Sequence, residues 1–329
     1  MRVRHAPDAL PPSVPPEVVA TIGNFDGVHL GHRALLNCVT RRAAERGVQS
    51  AVVTFDPHPR RVLRPDAAFG LLSTLDERLS LFEALGVDHV LVWRFDDALR
   101  ALEPEQFLDS LAHYVTLRLL VHGPGFALGR ARRGTTDVLA ELGRTRGFSL
   151  EEVALRSLTD SSDPITSTAV RTAVETGRVE DAERALGRAP ALAGTVVEGE
   201  KIGRTLGFPT ANLAFDVPLA VPADGVYAAW AELDPFTSRA RRLPAAVSIG
   251  ERPTFDGKRR VVEAYLLSFD GDLYGKTLRL HFVRRLRGQE KFDSVDALIS
   301  QMRRDVAAVD AALRRAAARP AHQQSLLAP

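Results

Sequence analysis

Cysteine is almost missing: Cys38 stands alone among 329 residues, so no internal disulfide can form and no cysteine-based zinc site can be built. That fits a reducing cytosol. Net charge is nearly missing too, because 43 basic and 41 acidic residues leave a balance of +2, too weak a field to argue for nucleic acid or a membrane as the main partner. No apolar run approaches the length that crosses a bilayer, and the first sixteen residues hold five prolines rather than the apolar core of a signal peptide. Two common nucleotide loops are absent as well. No G-x-G-x-x-G follows the first predicted strand, which argues against a dehydrogenase. Gly271 to Thr277, GDLYGKT, is one residue short of a Walker loop, with Asp270 where the first glycine should stand. The expectation is a cytoplasmic protein with no nucleic-acid or membrane partner.

What is present is enough for two domains. With 45% hydrophobic residues the chain can bury real cores, which excludes disorder throughout. From residue 18 to about 186, short β-branched runs alternate with longer amphipathic stretches, the rhythm of strand-helix units round a parallel sheet. The pattern predicts five strands, at 18–22, 51–55, 89–93, 118–121 and 150–154, with helices at 33–45, 76–85 and 104–114. After a helical stretch at 179–186, residues 187–190 read as a linker, so the boundary falls near Arg188 and divides the chain into domains 1–187 and 188–329. Beyond it, strands at 193–197, 226–233, 243–249, 261–269 and 277–286 alternate with Gly, Pro and Asp turns, densely enough for a small closed barrel. A helix over 294–316 caps it, and the tail from Arg319 lacks periodicity and reads as frayed.

The segment 21–32, TIGNFDGVHLGH, ends the first strand and opens the first helix. Backbone N–H groups at a helix start, joined by the imidazoles of His29 and His32, make a seat for polyanion chemistry. Two histidines three apart can also be plain neighbours on one helix face. Gly23, Gly27 and Gly31 at the sheet edge speak for the site, because they let backbone and ligand approach closely. Nucleotidyl transfer asks for such a clamp, one that stabilises charge on an α-phosphate while pyrophosphate leaves, and for no covalent enzyme intermediate.

This stretch resembles the H-x-G-H motif of the nucleotidyltransferase superfamily, and GNFDGVHLGH is similar to the version in prokaryotic FMN adenylyltransferases. The resemblance runs on through Phe55-Asp56-Pro57-His58-Pro59, Glu77-Arg78-Leu79, Gly86-Val87-Asp88 and Ile165 to Arg171, and covers most of the domain. It implies a Rossmann-like nucleotidyltransferase sheet with His29 and His32 as catalytic residues. It also implies ATP contacts at Gly23, Asn24, Phe25, Asp26, Gly31, Ser167, Thr168 and Arg171. Hydroxyls and a guanidinium at a helix start are natural phosphate donors, although a Ser/Thr cap beside a solvated Arg has the same look. One departure matters. The family's Gly-x-Asp/Asn-Phe-x-Phe-Gly loop reads Gly123-Pro124-Gly125-Phe126-Ala127-Leu128-Gly129, so Gly125 and Leu128 break the pattern. The polar side chain missing at Gly125 removes a substrate or metal contact, and one lost catalytic contact commonly costs about 2.7 to 4 kcal/mol. Arg130, Arg132 and Arg133 follow, either as phosphate ligands or as a solvated charged loop.

The second half carries GEKIGRTLGFPTAN, Gly199 to Asn212. Glycines at 199, 203 and 207 with Lys201 and Arg204 can fold round a polyphosphate, while the Thr210 hydroxyl and the Asn212 carbonyl are hard oxygen ligands suited to Mg2+. The bland reading is a Gly-Pro turn beside a strand. The stretch resembles the PTAN motif of riboflavin kinases, which implies Thr210 and Asn212 as metal ligands and Gly199, Lys201, Gly203, Arg204, Gly207, Phe208 and Pro209 as the ATP loop. The match continues through Gly250 to Phe255, Val262-Glu263 and Phe269 to Gly275. It implies Glu263 as the general base for the ribityl 5'-hydroxyl, a task that needs only positioning and one accepted proton. Tyr265 stands where a His is common in the family. The segment 287–305 resembles the loop and helix that close over the isoalloxazine, with Arg287, Glu290 and Phe292 as flavin contacts. Leu298 and Met302 read as helix core.

The whole chain thus resembles the bifunctional riboflavin kinase/FMN adenylyltransferase family: an α/β domain plus a riboflavin-kinase-like β-barrel. What this implies is riboflavin to FMN, then FMN to FAD, with ATP as co-substrate, Mg2+ as cofactor and at most a weak homo-oligomer. Two alternatives stay open. One is a kinase whose first half is degenerate or takes another flavin or nucleotide. The other is a flavin sensor without turnover, against which Thr210, Asn212 and Glu263 speak.

Overall fold

The computed structural model describes residues 1–154, 165–200, 202–254 and 257–318. Lys201, Phe255 and the tail from Arg319 lie outside the described residues. The chain divides into two compact units, the first made of Met1–Phe69 and Leu75–Thr166, the second of Gly70–Thr74 and the chain from Ser167.

The first unit carries strands β1 (Arg2–Ala6), β2 (Glu17–Ile22), β3 (Gln49–Asp56), β4 (His89–Arg94), β5 (Thr116–His122), the two-residue pair β6 (Ala127–Leu128) and β7 (Gly134–Thr135), and β8 (Ser149–Glu152). Its helices are α1 (Leu30–Arg46), α2 (Pro59–Leu63), α3 (Leu75–Ala84), α4 (Asp97–Ala101), α5 (Pro104–Ala112) and α6 (Thr136–Arg146). All strands except β6 and β7 join one sheet in the order β1-β4-β3-β2-β5-β8, parallel at every pairing. Period-two alternation splits the core. Val18, Ala20 and Ile22 pack with Phe107, Leu111 and Leu139 on one face, and Val19 packs with Leu35, Leu36 and Val39 on the other.

The sheet has six strands, not the five expected. The extra one is β1, RVRHA, whose residues are mostly exposed because it pairs only with β4 at the edge. An edge strand tolerates charge, so no apolar run announces it. β2 lies between β3 and β5, and chain order reverses there, which puts the crevice for a ligand at the C-terminal ends of β2 and β5. α1 starts in that crevice. Its N-cap is His29, and it stops at Gly47, whose φ of 65° closes the helix in the left-handed region.

In the second unit, α7 (Ser167–Glu175) and α8 (Val179–Leu186) pack on each other, and α8 packs on the barrel. The barrel follows as β9 (Ala191–Val197), the short α9 (Ile202–Thr205), β10 (Ala211–Ala214), β11 (Gly225–Leu233), β12 (Arg241–Thr254), β13 (Gly257–Leu266) and β14 (Thr277–Arg287), with α10 (Val295–Ala317) last. It closes in the order β10-β13-β12-β11-β14-β9, with every pair antiparallel. Six strands close it where five were expected. β10 begins inside the PTAN motif, and its ANLA has one large apolar side chain and no β-branched residue to announce a strand. Tyr227, Ala229 and Ala231, with Val262 and Ala264, fill the interior. α10 covers the outer face through Val309, Ala312 and Leu313 against Ala228 and Val283. Residues 70–74 belong to this unit through Leu71, whose N–H donates to the Pro218 carbonyl at 2.9 Å and whose carbonyl accepts from Ala220 at 2.8 Å.

Candidate functional site

In the sheet unit the loop after β2 is wound tightly. Phe25 and Val28 hold φ of 50° and 39°, a conformation a β-branched residue rarely accepts and one that clusters at functional loops. Both side chains are buried, so packing holds the turn in place. The Phe25 ring lies edge-on against His32 at 5.2 Å and against Phe82 at 5.6 Å. The expected nucleotide contact at Phe25 is therefore a wall behind His32. The His29 and His32 rings stack 3.6 Å apart. His29 Nδ1 accepts the backbone N–H of His32 at 3.3 Å, which leaves the ring proton on Nε2 as a donor. Gly31 is buried in the first turn of α1.

Arg78, which sequence reading placed only in a motif, fastens this loop from below. Its Nη1 lies 3.0 Å from the Asn24 carbonyl, 3.0 Å from Thr54 Oγ1 and 3.2 Å from the Phe55 carbonyl, and Nη2 lies 3.6 Å from Asp56. Burial pushes its pKa down, while buried Asp26 and nearby Asp56 push it up. Asp26 thus balances a buried guanidinium. Gly23 and Asn24 line a cavity of about 840 Å³ at the strand ends, walled by Phe55, Phe95, Phe107 and Phe126 and rimmed by Arg100, Arg130 and Arg132. Three of the motifs each contribute to its wall, at Gly23 and Asn24, at Phe55 and Pro59, and at Phe126 to Gly129, but α4 and α5 complete it with residues no motif marked. The loop 123–129 forms as expected, with φ of 65° at Gly125 and 72° at Gly129. A Cβ on Gly125 would meet nothing within 4 Å.

Ser167, Thr168 and Arg171 open α7 in the second unit. Arg171 is buried, and its Nε donates to the Gly70 carbonyl at 2.7 Å.

The barrel site is set by strand register. Asn212 stands opposite Glu263, and Glu263 stands opposite Ser248, so the three share a row on the outer face while Val262 and Ala264 point into the core. Gln289 Nε2 reaches Ser248 Oγ at 3.1 Å and the Ile249 carbonyl at 2.7 Å. Thr210 sits on a wall shared by two cavities. One, of about 660 Å³, includes Arg204, Pro209, Asp270, Asp272 and Tyr274. The other, of about 480 Å³, includes Gly203, Phe208, Glu263 and Tyr265, with Arg287, Glu290 and Phe292. Leu298 and Met302, read as helix core, line this second cavity instead. Phe208 and Tyr265 meet edge to face at 5.3 Å.

The glycine loop is shaped by close contacts. A Cβ on Gly199 would come 2.3 Å from the Asn212 amide, and one on Gly203 would come 2.4 Å from the Phe208 carbonyl. Gly207, at φ 83°, ends the loop's single helical turn, with Phe208 N–H on the Gly203 carbonyl at 2.8 Å. Arg287 is engaged rather than free. Its Nη2 lies 2.7 Å from Asp305 of α10 and 5.9 Å separates its guanidinium from the Phe292 ring, so it ties the strand end to the helix. Asp305, pinned also by Gln301 at 2.8 Å, is a site residue that sequence reading missed.

Among the described residues no group of three His, Cys, Asp or Glu side chains could hold a metal. Thr210 offers a neutral oxygen in the wall of the cavity with Arg204, and Asn212, two residues on, offers another opposite Glu263. That donor set fits a Mg2+ that arrives on a nucleotide and keeps phosphate and water ligands.

A parallel sheet with a histidine clamp at its switch point, and a closed barrel with a carboxylate opposite an amide, define a chain with two separate phosphate-transfer units. The FAD synthetase family model matches residues 12–169 and the riboflavin kinase family model residues 186–313. The chain is 36% identical over 288 residues to the bifunctional riboflavin kinase/FMN adenylyltransferase of Escherichia coli K12, covering 87% of this chain and 90% of that protein. Against the protein of the same name in Pseudomonas fluorescens it is 39% identical over 296 residues, with 89% and 92% covered. This chain belongs to the bifunctional riboflavin kinase/FMN adenylyltransferase family. A crystal structure described as a macrolide-efflux protein from Streptococcus pneumoniae also superimposes, with TM-score 0.82, 27% identity, and 94% of this chain and 99% of that chain covered. Among the described residues no helix is long and apolar enough to cross a membrane.

Proposed function

We propose that this chain makes flavin cofactors in two steps, phosphorylating riboflavin to FMN at the barrel and adenylylating FMN to FAD at the sheet, with residues 1–187 and 188–329 as the two functional domains. The observation that carries the reading is the placement of Asn212 opposite Glu263 in the ladder, with Glu263 lining the smaller cavity and Thr210 lining both. The larger, with Arg204, takes ATP, and the smaller, with the Phe208–Tyr265 pair and α10, takes riboflavin. Glu263 accepts the proton of the ribityl 5'-hydroxyl as its oxygen bonds to the γ-phosphorus and the bond to the β-phosphate oxygen breaks. Mg2+, held by Thr210 and Asn212 together with the nucleotide, supplies neutralising charge on the phosphates when bound. Placing Phe208 on the flavin side departs from its role in the ATP loop.

At the sheet, a phosphate oxygen of FMN attacks the α-phosphorus of ATP and pyrophosphate leaves. His29, through its Nε2–H, His32 and the amides opening α1 steady the charge that develops. Ser167, Thr168 and Arg171 are assigned to the ATP phosphates on the family motif. The cytoplasm is the compartment that fits a lone buried cysteine and intracellular ATP. One specific observation favours the second reading, a kinase with an impaired first half: the space that a side chain at Gly125 would take is open, with no atom within 4 Å of a Cβ placed there.

The test is to incubate the purified chain with riboflavin, ATP and Mg2+ and to follow FMN and FAD over time. Glu263→Ala should lose FMN formation yet still convert supplied FMN to FAD, and His29→Ala should lose only the FAD step. A wild-type chain that stops at FMN favours the impaired first half, and one that forms neither product refutes both readings.

A further inference from the structure

Three arginines rim the aromatic cavity of the sheet unit, and the surrounding carboxylates tie up two of them. Arg100 lies 3.1 Å from Asp97, and Arg130 lies 3.7 Å from Glu103, which also takes Arg133 at 3.1 Å. Arg132 meets no carboxylate among the described residues. Its Nη2 instead donates to the Gly125 carbonyl at 2.7 Å, folding the side chain back over the loop that lacks a polar group. The backbone is bent to bring this about: Ala131 and Arg132 both hold left-handed φ, 50° and 60°, which ordinary L residues adopt at a cost. That turn is fastened at its base, since Arg130 N–H bonds the Leu102 carbonyl at 2.7 Å. A Cβ on Gly129 would come 2.8 Å from Pro104 N.

We infer that Arg132 is the anion anchor of this cavity and recognises the phosphate monoester of its ligand, FMN, standing in for the side chain absent at Gly125. The inference rests on the adenylyltransferase reading and deepens it. One guanidinium N–H is spent on the Gly125 carbonyl, which holds the fork in place, and the other N–H groups remain for phosphate oxygens. Aromatic walls at Phe55, Phe95, Phe107 and Phe126 suit a planar heterocycle. Ring and phosphate together describe a flavin mononucleotide and discriminate against riboflavin, which brings no anion. Arg132 was one of three arginines in a run that sequence alone could not rank, and the ion pairs of the other two single it out.

The experiment measures initial FAD formation against FMN at saturating MgATP for the full chain, Arg132→Ala and Arg132→Lys, with an unchanged thermal unfolding profile, the sheet unit's transition included, showing that each variant is folded. Arg132→Ala should raise the KM for FMN about tenfold or more with the KM for ATP within about twofold, a size in line with one charge-assisted phosphate contact. Arg132→Lys should recover part of it, keeping the charge but not the fork. An FMN KM within about twofold of wild type, or a fall in kcat alone, means that the guanidinium only shapes the loop, and the inference is overturned. If the wild-type chain makes no FAD, the adenylyltransferase reading fails separately. Calorimetric titration of FMN and riboflavin then decides: the anchor stands if Arg132→Ala weakens FMN and spares riboflavin, and falls if both or neither change.

Discussion

In the sheet unit, His29 and His32 stand at the end of a loop whose Phe25 and Val28 are wound into left-handed φ, whereas in the barrel unit Asn212 and Glu263 face each other in a plain antiparallel ladder. The first arrangement depends on side chains packed beneath the loop, notably Arg78. The second depends on register, which a closed barrel cannot shift without moving every strand. The two units therefore should fail differently. Loss of a packing residue should take the sheet site with its unit, while the barrel site should respond to atoms added or removed within it.

The largest effect expected is on Arg78→Ala. It strips three backbone and hydroxyl acceptors and leaves Asp26 and Asp56 without their buried cation, which should cost about 3 kcal/mol or more. Thermal unfolding should show an early transition with loss of FAD formation, and riboflavin kinase activity should survive below it. A kinase step lost in parallel would break the comparison. Next is Gly199→Ala, whose Cβ would press on the Asn212 amide at 2.3 Å. The kinase rate should fall roughly ten- to hundredfold with a higher Mg2+ requirement, as expected when a metal ligand is displaced, and FAD formation from supplied FMN should not change.

A smaller effect should come from Asp305→Asn, which weakens the tie between Arg287 and α10. A roughly three- to tenfold rise in the KM for riboflavin, with kcat little moved, is the signature of lost uniform binding. A drop in kcat alone would place Arg287 in the chemistry instead.

The smallest concerns pH and lies away from the row of Asn212 and Glu263. His281 is buried with Nε2 2.8 Å from Glu232. Burial is the main force that lowers the His281 pKa to about 4, and the hydrogen bond from His281 is the main one that lowers Glu232 to about 2. Both folded values lie below the unfolded ones, so this pair supports the fold above about pH 6.5 and loses that support as acid protonates first the unfolded His and then the unfolded carboxylate. Between pH 7.5 and 6 the histidine part amounts to less than about 1 kcal/mol. His281→Gln should flatten the fall of the barrel's Tm across that range while keeping a donor to Glu232. An unchanged slope would show that His281 does not titrate between the two states.

Sequence reading marked both glycine loops and the change from parallel sheet to barrel, because local chemistry announces each of them, whereas Glu263 was singled out by the family resemblance alone. Glycine spacing marks close approach of backbone to ligand, and period-two runs mark strands. It missed β1, whose edge position excuses it from being apolar, and β10, whose ANLA lacks the β-branched or aromatic residues that mark a strand. Only the tertiary structure decided that Phe25 backs His32, that Asp305 holds Arg287, that Leu298 and Met302 line a cavity, and that Arg132 rather than its neighbours remains without a carboxylate partner among the described residues. The physical reason is distance along the chain. A motif reports residues that act near one another in sequence, while a cavity wall or an ion pair is made by residues that folding alone brings within a few ångströms.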